Sequence, residues 1–476
     1  MVFSSLIFTF YFLPAVVILY YLAKEKYRNY LLVIASLIFY AYGEPKYVFL
    51  MILSIIVNYG FGLWIDRMQE KERDKAARNV LILDVFFNVS VLYIFKYLGY
   101  TVTVFNSITG HSLQSPGIAL PIGISFFTFQ AMSYCIDVYR KKVKVQKNIM
   151  YVALYISFFP QLIAGPIVRY STIEEQIVSR KTDMASFSEG VCRFFLGFSK
   201  KIILANNLSV VARDVFAANA AVTDPALLWI GSICYSLQIF FDFSGYSDMA
   251  IGLGRMFGFR FDENFNYPYI ASSITDFWRR WHISLSSWFR DYVYIPLGGS
   301  RVSVPRNILN LFTVWLLTGI WHGANVTFVV WGLFYFVMLV IEKWLIKPSE
   351  RPTPFKIIWR IVTLLCVNFA WVIFNSSSIK SGLEFIKGMF GIYGNRWFTD
   401  HSISVKMGEY GFFMAAAVIC STPLISLIKK KLTELPGNGI KTAIAVISPT
   451  ILVFLFLWSV SFLILGFHNP FIYFNF

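Results

Sequence analysis

Residues 304–346 read VPRNILNLFTVWLLTGIWHGANVTFVVWGLFYFVMLVIEKWLI, two apolar runs joined by one short turn. A hydrocarbon core of roughly 30 Å needs about 17–25 such residues per crossing, so 304–320 and 324–346 read as a helical pair that spans and returns. The turn holds Trp321-His322-Gly323, and His322 is one of five histidines in 476 residues. Its neighbours from 318 to 325 offer few other groups that exchange protons. An ionisable side chain at bilayer depth is costly and marks a functional site by default. Imidazole is also the side chain best suited to proton transfer near neutral pH. The competing reading of His322 is a buried structural imidazole.

The same pattern continues outward in both directions. The chain is 57% hydrophobic, 19% aromatic and 14% charged, a balance that excludes a soluble fold of this length. Spans are expected at 3–22, 29–42, 47–65, 79–99, 118–138 and 148–167. Further apolar stretches lie near 187–205, 226–254, 357–375, 409–428 and 441–467, for about 10–13 crossings in all. The runs are continuous and do not alternate, which excludes a β-barrel. The expected class is therefore an all-α polytopic membrane protein. It reads as a single integral-membrane domain over 1–476, with N-terminal helices in 1–140, a core at 148–346 and C-terminal helices in 357–476. The stretch 1–21 has no basic n-region and no A-x-A signal, and reads as a retained first span.

The formal charge is +16, from 42 basic and 26 acidic residues. The excess sits in short connections, where anionic headgroups and topology account for it. No nucleic-acid partner is expected, because no basic surface separate from the membrane is visible. Lys24, Lys26 and Arg28 follow the first span, Arg67, Lys71, Arg73, Lys75 and Arg78 the third, and Arg140, Lys141, Lys142, Lys144 and Lys147 the fifth. The positive-inside rule then places these loops in the cytosol, both termini outside, and His322 at the outer turn of its helical pair. The five cysteines are scattered through apolar context and read as small buried hydrophobes. No grouping has metal-ligand spacing, so no metal and no bound cofactor are expected.

Residues 238–301 form a polar centre. Asp242, Ser244, Tyr246 and Asp248 lie inside an apolar stretch, where two carboxylates must be protonated, paired or wet. They read either as a structural pair with a nearby arginine or as the wall of a polar tunnel. Gly252, Gly254 and Gly258 superficially match a dinucleotide fingerprint, but the spacing is wrong and no βαβ unit surrounds them. Close helix approach explains them better. The window 275–292, TDFWRRWHISLSSWFRDY, predicts an amphipathic helix along a membrane interface. Trp278, Trp281, Leu285 and Trp288 would form its aromatic face. Arg279 and Arg280 suit phosphates, of lipid or of an anionic donor. His282 suits a structural role as well as a catalytic one. His111, His401 and His468 fall in presumptive exterior loops or near the terminus and receive no role.

Longer motifs are more specific. DFWRRWHISLSSWFRDYVYIPLGGSR at 276–301 and GIWHGANVTFVVWG at 319–332 stand with LPIGISFFTFQAMSYCIDVYR at 120–140, FFPQLIAGPIVRY at 158–170, FDFSGYSDMAIGLGRMFGFRFDENFNYPY at 241–269 and NPFIYFNF at 469–476. Over nearly its whole length the chain resembles the membrane-bound O-acyltransferases, in particular their bacterial branch of alginate and peptidoglycan acetyltransferases. That resemblance implies a ring of about 11 transmembrane helices, with re-entrant and interfacial helices, around a thinned central tunnel. It implies a cytosolic donor entrance and an exterior acceptor funnel. His322 matches the family's near-invariant histidine and His282 the second histidine of this branch, which makes both catalytic candidates, His322 as general base and His282 to polarise the carbonyl, guide the donor or hold the tunnel's shape. Trp278, Arg279, Arg280, Trp281, Asp242, Ser244, Tyr246, Asp248, Asp291, Trp321 and Asn325 become the donor-binding or tunnel-lining candidates. Asn375 departs from the arginine expected after Trp371-Val-Ile-Phe, which touches only a peripheral detail.

The implied reaction is acyl transfer from acetyl-CoA, or another thioester such as a carrier protein's, to a hydroxyl of an extracytoplasmic polysaccharide. The implied setting is a bacterial inner or plasma membrane, with lipid around the chain and an exterior partner of the SGNH-hydrolase-like kind. Three alternatives stand beside it. D-alanyl transfer to teichoic acid belongs to usually shorter relatives. A transporter or flippase for envelope precursors would suit the spans and buried acids, though no duplication between the halves is evident. A non-catalytic export scaffold would tolerate loss of both histidines.

Overall fold

The computed structural model describes residues 1–163, 165–435, 438–466, 469 and 472. These residues fold as helices and connections, with no strand among them. Eight helices among them are long and apolar enough to cross a membrane. The apolar runs near 47–65, 79–99, 187–205 and 226–254 become Val48–Glu70, Asp74–Lys96, Met184–Ala217 and Pro225–Met256. Three expected stretches are not continuous helices, and one of them, 409–428, breaks between His401–Cys420 and Leu424–Glu434. Helix Ile149–Ser157 stops at Phe158, and Pro160 opens only the short turn Phe159–Leu162. Proline lacks the N–H that would bond the carbonyl four residues back and its ring clashes there, so the helix cannot run on through Pro160. In the span expected at 118–138, helix begins only at Ile124, beyond Pro121. Within the expected polar stretch 376–409, Ser378 and Ser381 form a capping box that starts helix Ile379–Met389.

The chain divides into two compact units, Met1–Phe194 with Met249–Asp262, and Phe195–Asp248 with Glu263–Phe476. In the first, Glu25–Gly43 packs on Ile149–Ser157, and Val48–Glu70 packs on Asp74–Lys96 and Ile124–Tyr139. Buried Asn58 and Asn88 exchange amide hydrogen bonds of 2.9 and 3.3 Å across two of these helices. Apolar packing alone gives little preference between lipid and a neighbouring helix, so such pairs fix which faces meet. The glycine run behaves as its spacing suggested. A Cβ on Gly252 would lie 2.6 Å from the Gly190 carbonyl oxygen, so two backbones meet there.

In the second unit, the helix that ends at Ala217 widens into a π-helical turn at Lys200–Ala205. Gly245 lets this turn approach Pro225–Met256, since a Cβ there would lie 2.8 Å from the Gly197 carbonyl oxygen. The approach delivers Lys201 Nζ to Asp242 and Lys200 Nζ to Asp248, each at 2.7 Å. The buried carboxylates are thus paired, with lysine where arginine was expected. The π-helical turn supplies two adjacent cations to acids six residues apart on one helix.

The pair read from the opening sequence forms helices Val304–His322 and Val326–Val340. Glycine sets their contact. A Cβ on Gly319 would lie 2.7 Å from the Phe328 carbonyl oxygen, and one on Gly332 would lie 3.2 Å from Gly319 Cα. Overpacking of this kind costs about 1–3 kcal/mol. Gly319→Val is therefore expected to lower the thermal unfolding temperature in detergent. Gly408→Ala should not, because nothing lies within 4 Å of its Cβ position. Equal effects would disprove the glycine contact.

Candidate active site

Helix Val304–His322 ends on His322 because Gly323 is fully extended and Asn325 starts the next helix, accepting a hydrogen bond from Thr327 N–H at 3.0 Å. His322 is 8% exposed. Its ring lies 4.8 Å from Trp321, 5.0 Å from Trp331 and 5.1 Å from Phe374, each near edge-to-face. These rings come from both helices of the pair and from Thr353–Asn375. Phe374 and Phe328 also line a cavity of about 530 Å³, with Arg213, Gln238, Asn325 and Asn375 among its polar lining. Asn375 was read as peripheral. It lies beside Phe374 on the cavity wall instead.

The continuous helix expected over 275–292 does not form. Ile274–Arg280 stops at Trp281, and Ile283–Phe289 starts afresh after His282. His282 has φ 44 and ψ 55, in the left-handed region, which is uncommon for a residue with a Cβ. Such geometry costs on the order of 1–3 kcal/mol and persists only where the surroundings enforce it. The break also overturns the interfacial aromatic face. Trp278, Trp281, Leu285 and Trp288 are all buried within the protein.

Asn264 supplies the enforcement. Its carbonyl accepts from Ile283 N–H at 2.9 Å, and Asn266 N–H donates to the Arg280 carbonyl at 2.9 Å. Asn264 Oδ1 accepts from Ser284 N–H at 3.2 Å and from Ser284 Oγ at 2.9 Å, and stands 3.2 Å from His282 Nδ1. Asn264 Nδ2 donates to Ser247 Oγ at 3.0 Å. Complete burial pushes the His282 imidazole well below its usual pKa and keeps it neutral.

One indole joins the two histidines. Trp321 lies 6.1 Å from His282 and 4.8 Å from His322, ring to ring. Trp278 packs on Trp331 at 5.6 Å, and Trp281 packs on Trp371 at 4.9 Å. Ser244 and Tyr246 are buried on Pro225–Met256. The charged candidates are engaged elsewhere. Arg280 pairs with Asp276 at 2.8 Å, Asp291 with Arg290 at 2.7 Å, and Arg279 is exposed. His111 and His401 are exposed, while His468 lies outside the described residues. The site thus offers two imidazoles, one neutral and held in strained geometry and one caged by aromatic rings, beside a cavity with polar lining, and an imidazole is a group able to take a proton from a hydroxyl.

Comparison with known proteins identifies the family. The model of the membrane-bound O-acyltransferase family matches residues 34–383, which include both histidines. The chain belongs to the membrane-bound O-acyltransferase family. Among similar proteins, a probable alginate O-acetylase AlgI of Pseudomonas aeruginosa is 45% identical over 396 residues, covering 82% of this chain and 75% of the relative. A peptidoglycan O-acetyltransferase of Helicobacter pylori is 37% identical over 429 residues, covering 83% and 80%. A teichoic acid D-alanyltransferase of Bacillus subtilis is 32% identical over 278 residues, covering 53% and 67%. This membrane-bound O-acyltransferase is accordingly a multi-pass membrane enzyme that transfers acyl groups.

Proposed function

We propose that this acyltransferase moves an acetyl group from a cytosolic thioester, acetyl-CoA, to a hydroxyl across the membrane for O-acetylation of an extracytoplasmic polysaccharide. The carrying observation is His322, caged by aromatic rings whose members Phe328 and Phe374 also line the 530 Å³ cavity. In this reading the acceptor hydroxyl enters that cavity from outside and the thioester reaches His322 from the cytosol. His322 takes the hydroxyl proton as the oxygen attacks the thioester carbonyl. The tetrahedral intermediate then expels the thiolate, which takes the proton back. Aromatic rings hold the imidazole in place beside the cavity, and placement of the two reactants supplies much of the remaining acceleration.

The names of two relatives, a probable alginate O-acetylase and a peptidoglycan O-acetyltransferase, support acetyl and a glycan. The D-alanyltransferase matches a smaller part of the chain, which weighs against aminoacyl transfer. Both termini lie outside the bacterial cell membrane in this scheme, and an SGNH-hydrolase-like protein outside receives the acetyl group and delivers it to the glycan. Mass spectrometry of envelope glycans from cells with and without the gene tests the reading. Loss of acetyl esters with the gene is the expected result. Loss of alanyl esters, or unchanged glycans, would overturn it.

A further inference from the structure

The acyl-transfer reading leaves open what His282 does, and its surroundings answer through a residue no motif singled out. We propose that Asn264 is a positioning residue that holds His282 as the Nδ1–H tautomer, so that Nε2 presents a lone pair and accepts a hydrogen bond from an N–H or O–H group of the bound donor or acceptor. This deepens the proposed acyl transfer and rests on it.

The amide orientation of Asn264 is fixed by a backbone group that only donates. Ser284 N–H lies 3.2 Å from Oδ1, and a flipped amide would set two donors face to face. The other end, Nδ2, meets the Ser247 hydroxyl at 3.0 Å, which accepts readily. An acceptor oxygen therefore faces His282 Nδ1 at 3.2 Å, and the Ser284 hydroxyl, 3.5 Å from Nδ1, has its nearer acceptor in that same oxygen at 2.9 Å, so a neutral imidazole carries its proton on Nδ1. Nε2 is left as the acceptor. It is buried and makes no hydrogen bond among the described residues, and a buried polar atom of that kind calls for a partner that arrives with a ligand.

The backbone points the same way. His282 is held in the left-handed region at φ 44 by two hydrogen bonds from the strip Asn264–Asn266 and by the side chain of Asn264 itself. A merely structural histidine at a helix break needs no such geometry, since glycine or asparagine would adopt it at lower cost. The consequence for the chemistry is specific. A neutral His282 of this tautomer cannot donate from Nε2 to the thioester carbonyl, so carbonyl polarisation is not its role. It receives a donor group of the substrates and aligns it beside Trp321, the indole it shares with His322.

The test uses purified full-length protein labelled with 15N-histidine. Five histidines give few resonances, and the His282 signals are those lost in His282→Gln. The expected wild-type spectrum shows His282 Nδ1 protonated and Nε2 bare. N264D keeps an oxygen toward Nδ1 but adds a carboxylate that favours the imidazolium, so it should keep Nδ1 protonated while raising the pH at which Nε2 takes up a proton and acetyl transfer from acetyl-CoA is lost. Asn264→Ala should lose the single-tautomer signature and lower kcat by about 10- to 100-fold, the range seen when the partner orienting a functional histidine is removed. A wild-type spectrum with Nε2 protonated would overturn the proposal, as would Asn264→Ala transferring at the wild-type rate. If Asn264→Ala does not fold, the wild-type and N264D spectra decide. Absence of transfer by wild-type protein would strike the acyl-transfer reading instead and leave the spectrum as the measure of the tautomer.

Discussion

His322→Gln is expected to lower acetyl transfer by about 10²- to 10⁴-fold, the usual contribution of a positioned general base. Glutamine suits the test because its amide fills similar space and forms hydrogen bonds but cannot take up a proton near neutral pH. The site should survive the change. His322 is the last residue of its helix, Asn325 caps the next, and the rings of Trp331 and Phe374 pack on each other at 5.2 Å as well as on the imidazole. Purified His322→Gln should therefore elute as wild type and unfold within a few degrees of it. Transfer at the wild-type rate from radiolabelled acetyl-CoA would remove the general-base assignment. A variant that fails to assemble would make His322 a structural residue. Alanine is a poorer probe, because it leaves a void among three rings as well as removing the base.

What sequence made legible here follows from which constraints act locally. Apolar runs announced the spans because crossing the hydrocarbon core dictates length and composition within one segment. His322 stood out because an ionisable group in an apolar turn has few structural excuses. Gly252 was likewise read correctly as a point of close approach. The misses depend on partners distant in the chain. The 275–292 window has the period of one amphipathic helix, yet Asn264, 18 residues before His282, breaks it with hydrogen bonds that no local pattern records. Asn264 itself sits in the polar run Asp262-Glu-Asn-Phe-Asn, where nothing local sets it apart. Lys200 and Lys201 carried a signal that went unused. Two cations within an apolar stretch need anions, and Asp242 and Asp248 were the two buried acids already in hand.

That pairing leads to the second large expected effect. Lys201→Met is expected to destabilise the protein by about 3–5 kcal/mol, the cost of stranding one charge of a buried pair. Lys201 is 1% exposed, and its Nζ lies 2.7 Å from Asp242 and 2.8 Å from Asn206 Oδ1. Without it, Asp242 keeps a hydrogen bond from Ile472 N–H at 2.8 Å, too little for a buried carboxylate. Removing both charges, as Lys201→Met with Asp242→Leu, should recover most of the loss, because well-packed apolar side chains often replace a buried pair without penalty. Lys200→Met supplies the internal scale. Lys200 is 24% exposed at its side chain, so water can share in solvating Asp248 and the cost should fall toward that of surface pairs, about 1 kcal/mol or less. Thermal unfolding in one detergent ranks the variants, and Lys201→Met as stable as Lys200→Met would refute the buried pair as a structural clamp. Activity of the double variant adds an independent reading. Ile472 lines the same cavity as Phe374 and Asn375, and Asp242 is its backbone's partner. A double variant that regains stability but transfers acetyl poorly would show that the Asp242 carboxylate, having cost a lysine to bury, shapes the acceptor cavity through residue 472.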